Sequence, residues 1–280
     1  MESLLSQYQQ NGFIHFKSFF NPDAVEQVRK EAKQVFINQM IHHGILPSHA
    51  PDEQQFEAAM TEFFRLDQAA FINCGKTCQH LISLHRLSLN EKLIQQLNAF
   101  GVQTPVICTR PVIYFNSRHL AQVEVYYRTP PHQDWRSMQG SLNAMVVWVP
   151  LVDVNEALGA LEIVPGSHRW GLLPSEQDEW YRKVAEAERF TYQSVEVAAG
   201  DALFFSSFLL HRSGNNITDA IRWSCHFRYN DLSEETFIAR RYAHPYIYKA
   251  KQELITDNFP APEQLQKVFS EAGKSQATAT

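Results

Sequence analysis

In this chain of 280 residues, the segment Pro131-His132-Gln133-Asp134-Trp135 carries an imidazole and a carboxylate two positions apart. In extended backbone, residues two apart share a face, so His132 and Asp134 can address one ion. A second imidazole, His211, lies 77 residues past Asp134 (211 − 134) and must return through the fold. Two imidazoles and a carboxylate are the donor set that holds non-heme Fe(II) while leaving positions open for small ligands. Eleven residues past His211 (222 − 211) stands Arg222. A guanidinium grips a free carboxylate through two parallel hydrogen bonds, as a site for an organic acid requires.

Between the two halves of this set lie three short blocks in order. They are Trp148-Val149-Pro150-Leu151, Gly159-Ala160-Leu161-Glu162 and Val164-Pro165-Gly166-Ser167-His168. With these motifs the chain resembles the phytanoyl-CoA dioxygenase (PhyH-like) family of Fe(II)/2-oxoglutarate-dependent oxygenases. The resemblance is close from Tyr126 to Tyr229. Further upstream only Gly12-Phe13-Ile14 and the helix after it match.

The resemblance implies that His132, Asp134 and His211 bind Fe(II) and form the catalytic centre. It implies that Arg222, helped by Ser213, binds 2-oxoglutarate, with Trp148 packed beside this co-substrate and O2 as the second. It further implies hydroxylation with release of succinate and CO2. Related halogenating enzymes replace the carboxylate with Gly or Ala, so Asp134 places the chain with the hydroxylating type. A jelly-roll that binds metal and 2-oxoglutarate without turnover is the alternative, as is an oxygenase with a desaturation or epimerisation outcome. Retention of both Asp134 and Arg222 favours turnover. His168, after a turn signal, is expected to be structural.

Around the motif, Tyr126, Arg128, Gln133, Trp135 and Arg136 are the candidates for substrate contact. Arginines there suit an anionic or polyhydroxylated molecule. No strong basic cluster for a CoA phosphate stands out, so a small polar metabolite is the expected substrate. The formal net charge of −5 leaves no basic footprint for a nucleic-acid partner. The first residues lack the basic start and apolar run of a signal peptide, and no apolar run approaches the ~18 residues of a membrane span. A cytoplasmic location without membrane partners is expected. The C-x3-C pair Cys74 and Cys78 reads as two reduced thiols on one helix rather than a zinc site, because no second ligand pair is near.

Positioning the chemistry calls for two kinds of element. The first hundred residues read as helices: Asn21-Pro22 opens one running to about Met40, and residues 53–67 and 73–86 form others. Ser88-Leu89-Asn90-Glu91 reads as a capping box for the next. From Val106 the pattern changes to short strands at Val106–Cys108, Val112–Tyr114, Val123–Arg128, Ala144–Val152, Ala160–Val164, Tyr192–Val197, Asp201–Ser206, Leu209–Ser213 and Ala220–Arg228.

The expected fold is mainly β with flanking α: a double-stranded β-helix (jelly-roll, cupin-like) core behind an N-terminal helical layer. One oxygenase domain is expected over 1–280, helical over 1–104, jelly-roll over 105–230 and with a C-terminal extension over 231–280. The loop at 42–54, with His42, His43 and His49, reads as a mobile cover. Residues 174–189 read as an acidic, helix-like surface insert.

Overall fold

A computed structural model describes residues 3–120, 129–177 and 182–242. The expected strand Val123–Arg128 and the tail from Ser270 lie outside these residues.

Six helices come first: α1 (Leu4–Asn11), α2 (Pro22–His42), α3 (Glu53–Leu66), α4 (Gln68–Cys78), α5 (Ile82–Ser88) and α6 (Glu91–Ala99), with strand β1 (Phe13–Phe16) after α1. Their starts follow from local chemistry. The Asn21 side chain accepts from Asp23 N and Pro22 takes the first turn, where its missing N–H costs nothing. Asp52 and Gln55 form a capping box at α3.

Two expectations are corrected here. The α6 cap is Asn90, whose side chain accepts from Leu93 N, whereas Ser88 closes α5 and bonds back to His85 O. The helix read over 73–86 is two helices, because the chain turns at Gln79–Leu81 between α4 and α5.

The remaining elements are β2 (Pro105–Ile107), β3 (Val112–Asn116), α7 (Trp135–Met138), β4 (Met145–Pro150), β5 (Leu161–Ile163), β6 (Ser175–Gln177), β7 (Arg182–Val184), β8 (Gln193–Val195), β9 (Ala202–Ser206), β10 (His211–Ser213), β11 (Arg222–Asp231) and α8 (Glu235–Ala239). The major sheet runs β1-β9-β4-β11-β2, all antiparallel, with β3 also on β11. A second sheet runs β10-β5-β8. β2 and β3 follow one another along the edge of β11 opposite β4, two short strands with an excursion between.

Each long strand buries both faces. On one side Met145, Val147, Val149, Phe204, Trp223, Cys225, Phe227 and Tyr229 pack on the helical layer. On the other, Val146, Trp148, Leu203 and Phe205 meet Leu161, Ile163 and Val195 of the second sheet. Two facing antiparallel sheets with helices behind one of them are the expected jelly-roll with its helical layer. Helix nevertheless outweighs strand among the described residues, so the fold is mixed rather than mainly β.

Within the loop expected as a cover, the 43–52 connector packs on the helical layer. Leu46 is buried in the helical cluster, His43 Nε2 lies 3.4 Å from Asp67, and His49 lies 3.4 Å from the Gln34 amide. All these contacts belong to the helical layer. The 174–189 insert is a hairpin, β6 on β7, followed by a 3-10 turn at Ala187–Arg189. Its acidic, Glu-rich helical propensity yields to tertiary pairing: Val184 and Ala187 are buried with Val164 and Leu210, and Val184 N donates to Pro131 O. Cys74 and Cys78 are buried free thiols whose Sγ atoms face the carbonyls of Val35 and Ala32 on α2, as expected of structural cysteines.

Layer and sheet are joined by an aromatic cluster. Phe36 of α2 lies 5.1 Å from Phe71, 5.3 Å from Phe115 and 6.2 Å from Trp223. Phe36→Ala should therefore cost about 3–5 kcal/mol. The check is the denaturant midpoint, which should fall with the slope unchanged.

Candidate metal centre and co-substrate pocket

The metal-binding candidates are brought together by a backbone bridge. His132 N donates to His211 O at 2.9 Å and His211 N to His132 O at 3.2 Å, an isolated antiparallel pair. Residues directly opposite in such a pair carry side chains on the same face. The two rings accordingly lie 4.1 Å apart between centroids.

Pro130 and Pro131 precede His132 and have no N–H to offer a ladder. Their carbonyls serve as acceptors instead, Pro130 O for His132 Nδ1 at 2.8 Å and Pro131 O for Val184 N at 2.8 Å. Asp134 enters just before α7. Its carbonyl accepts from Ser137 N, Met138 N and Ser137 Oγ, which fixes the residue's backbone.

Within this frame the ligand-capable atoms of His132, Asp134 and His211 all lie within 4.8 Å of one another, the only such His/Cys/Asp/Glu group among the described residues. Asp134 and His211 are buried and His132 is the partly exposed member. Each imidazole is oriented by its other nitrogen. His132 Nδ1 donates to Pro130 O and His211 Nδ1 donates to Leu209 O at 3.0 Å. A carbonyl can only accept, so both Nε2 atoms keep a lone pair for a metal.

Burial pushes the His132 imidazole down and His211 down to about 3, the neighbouring imidazole adding to the shift at His211. Both are neutral ligands at pH 7. Burial pulls the Asp134 carboxyl upward, but the charges around it, Arg228 foremost, outweigh this and hold it below the usual carboxylate range. The Arg228 Nε and Nη2 atoms donate to Asp134 Oδ1 at 3.0 and 2.8 Å.

Arg222 opens β11 and points to the same side as Ser224, His226 and Arg228, as strand alternation requires. Its guanidinium is 1% exposed. It donates to Gly159 O and reaches Ser213 Oγ at 3.4 Å, with the Tyr114 ring 5.7 Å away. Gly159 adopts φ +81, and an added Cβ would stand 3.0 Å from Gly214 O, which is why this turn takes glycine.

Burial lowers the Arg222 guanidinium to about 10, so it stays charged at pH 7. Among the described residues no carboxylate pairs with it. Among the described residues its Nε has no hydrogen-bond partner, and Ser224 Oγ and the buried Nε2 of His226 also lack one. Buried polar atoms are normally satisfied, and a buried charge is normally paired. Three orphans on one face of one strand fit a dianionic, oxygen-rich ligand such as 2-oxoglutarate.

The other candidates divide. Trp148 pairs with His226 across the sheet and is buried among the inter-sheet side chains, on the same face as Arg222. Gln133 is corrected: the alternation that aligns His132 with Asp134 turns it away. Its amide donates to Gly171 O and Phe208 O and accepts from Leu173 N, so the side chain ties three backbone groups together and leaves nothing for substrate. Trp135 stacks on Phe208 at 5.2 Å and donates to Ser141 O. Arg136 donates to Leu173 O at 2.7 Å. Both are anchors of the loop around the ligands. Tyr126 and Arg128 lie outside the described residues.

His168 is structural, as expected: its Nε2 meets Gln9 O at 3.1 Å and its ring lies where a Cβ on Gly12 would stand. In the GALE block, Glu162 is the cross-strand partner of Arg212 at 2.5 Å. Strand parity from Arg222 is the one sequence signal that assigns Arg228 to this face, and its hold on Asp134 is seen only in the structure.

Fold and site together define a two-sheet oxygenase scaffold with a 2-His-1-carboxylate centre and a buried arginine beside it. The phytanoyl-CoA dioxygenase (PhyH) family profile matches residues 8–224. The chain belongs to that family of Fe(II)/2-oxoglutarate-dependent oxygenases. It is 32% identical over 117 residues to a probable phytanoyl-CoA dioxygenase of Caenorhabditis elegans, covering 38% of each chain. It is 25% identical over 247 residues to the human peroxisomal phytanoyl-CoA dioxygenase, covering 79% of this chain and 66% of that one. The chain thus spans 38% of the nematode relative and about two thirds of the human one. Among solved structures, the epimerase SnoN in complex with Fe3+, alpha-ketoglutarate and a nogalamycin compound superposes with a TM-score of 0.55 at 19% identity, covering 92% of this chain and 96% of that one. That likeness concerns the fold. Among the described residues no helix is long and apolar enough to cross a membrane.

The metal-free protein should lose stability as pH falls below the ordinary imidazole value of 6.5, continuing towards about 3 for His211. The folded state refuses protons that the unfolded chain accepts, so stability rises with pH across that window. The depressed Asp134 carboxyl acts in the same sense at lower pH, its contribution vanishing as the folded group is protonated. Thermal unfolding of chelator-treated protein at pH 7.5 and pH 5 checks this, with the lower midpoint expected at pH 5.

Proposed function

We propose that the protein is an Fe(II)- and 2-oxoglutarate-dependent dioxygenase that hydroxylates a small, polar metabolite. The balance is one O2, one 2-oxoglutarate and one substrate C–H consumed, with succinate, CO2 and the C–OH product released. The observation that carries the reading is the buried Arg222, which pairs with no carboxylate among the described residues and lies on the same strand face as the group that grips Asp134.

His132, Asp134 and His211 would hold the iron, the imidazoles through their Nε2 atoms. Bound there, iron supplies the activation of O2 that side chains cannot. The protein's own work is positional. Arg222 and Ser213 take the far carboxylate of the co-substrate, and Trp148 walls the space beside it. Ser224 and His226 offer unfilled polar atoms along the same face. The inter-sheet apolar cluster keeps bulk water from one side of the site. The one domain proposed for this work spans 1–280.

Hydroxylation, rather than a silent binding role, is supported by the complete ligand set together with the unpaired arginine, since a binding module need keep neither. The small polar substrate is supported by the formal net charge of −5, which gives a CoA thioester's phosphates little attraction.

Arg222→Ala should leave metal binding intact and weaken 2-oxoglutarate by about 1.5–3 kcal/mol, roughly ten- to a hundredfold, through loss of a charge-assisted pair. Anaerobic titration of the Fe(II) protein, following the visible band of a chelated 2-oxo acid, reads this; equal affinities would count against the role. Asp134→Ala and Asp134→Glu should both reduce substrate-dependent succinate release to background, the second because a methylene moves the ligand oxygen by over an ångström. Full turnover in Asp134→Ala would remove the carboxylate from the mechanism.

A further inference from the structure

We infer that Arg228 is a positioning residue that restricts Asp134 to metal binding through a single oxygen, Oδ2. The inference rests on the reading of His132, Asp134 and His211 as metal ligands. Both Nε and Nη2 of Arg228 close on the same carboxylate oxygen, Oδ1, at 3.0 and 2.8 Å. The other oxygen, Oδ2, lies 3.4 Å from His211 Nε2, the imidazole atom that its own Nδ1 bond leaves open. One oxygen is thus claimed by a fixed, permanently charged fork, and the other faces His211 Nε2. The side chains are 3% exposed for Asp134 and 15% for Arg228, so water is a poor competitor for Oδ1.

The restriction matters because carboxylates bind metals through one oxygen or through two. An iron held by His132, Asp134 and His211 would also have to accept a chelating 2-oxo acid and O2. An Asp134 bound through both oxygens would occupy a position that one of the small ligands needs. The position of Arg228 is set by the sheet. It pairs with Val146 of β4, and its carbonyl accepts from Cys108 N, so the fork approaches from a fixed backbone.

Charge works in the same direction. With both imidazoles neutral, Asp134 and Arg228 cancel, and a bound divalent ion presents its full double charge to a dianionic acid. Without Arg228 that attraction falls. A buried ion pair by itself adds little stability, so the pair's value here lies in orientation.

The test uses Co(II), which does not turn over with O2, on the full chain. Each variant is compared with the parent by Co(II) titration, by the Co(II) d–d spectrum and by 2-oxoglutarate affinity of the Co(II) form. Arg228→Met keeps the length and removes the fork. It should still bind one Co(II), change the d–d spectrum towards a higher protein-ligand count, and lose at least about tenfold in 2-oxoglutarate affinity. Arg228→Lys restores charge as a single point and should recover affinity only in part. A purely structural pair would lower the unfolding temperature and leave spectrum and affinity at parental values. Parental spectrum and affinity in Arg228→Met overturn the inference. If that variant does not fold, the same result in Arg228→Lys overturns it. A parent that takes up no Co(II), or a His211→Ala variant that binds it like the parent, overturns the metal assignment as well and is thereby told apart.

Discussion

The structure depends on one constraint: β11 must bury both of its faces, and its two faces face different worlds. Trp223, Cys225, Phe227 and Tyr229 point to the helical layer and are almost wholly inaccessible. Arg222, Ser224, His226 and Arg228 point between the sheets. A period of two is the only geometry that lets one strand do both. A slip of one residue would put two guanidinium groups into the aromatic cluster around Phe36 and remove both from the site. The helical layer is therefore part of the site's construction, since its packing energy holds the register that aims the arginines.

The two arginines are held in opposite electrostatic conditions. Arg228 is paired with Asp134 within hydrogen-bonding distance. Arg222 is more deeply buried and, among the described residues, has no carboxylate beside it and leaves Nε unpaired. Leaving a buried charge unpaired costs free energy in the ligand-free protein. Under the proposed function, a ligand that brings a carboxylate would recover that cost on binding.

Around this face, several polar side chains are spent on holding loops rather than on ligands. Gln133 ties Gly171, Leu173 and Phe208 to the metal-binding segment. The β6–β7 hairpin gives its Val184 N–H to Pro131, completing hydrogen bonding that the two prolines cannot supply. These contacts hold His132 and Asp134 against His211 from outside the centre, as oriented donor sets generally require.

The sequence alone nominated the candidate ligand set, because His132 and Asp134 share a face by alternation, and the family resemblance added His211 and Arg222. It also determined the two-layer character, since helical periodicity gives way to short apolar runs near Val106. Other features depended on groups far away in the chain. The acidic stretch after Pro174 became a hairpin because Val184 and Ala187 found an apolar site against Val164 and Leu210. The 43–52 connector joined the helical layer because Leu46 could be buried there. Gln133 turned out to be an anchor because three backbone groups from distant loops converge on its amide. The hold of Arg228 on Asp134 was decided only by the tertiary structure. Parity assigns a side chain to a face, but which partner lies opposite depends on sheets that bring residues 94 positions apart into contact.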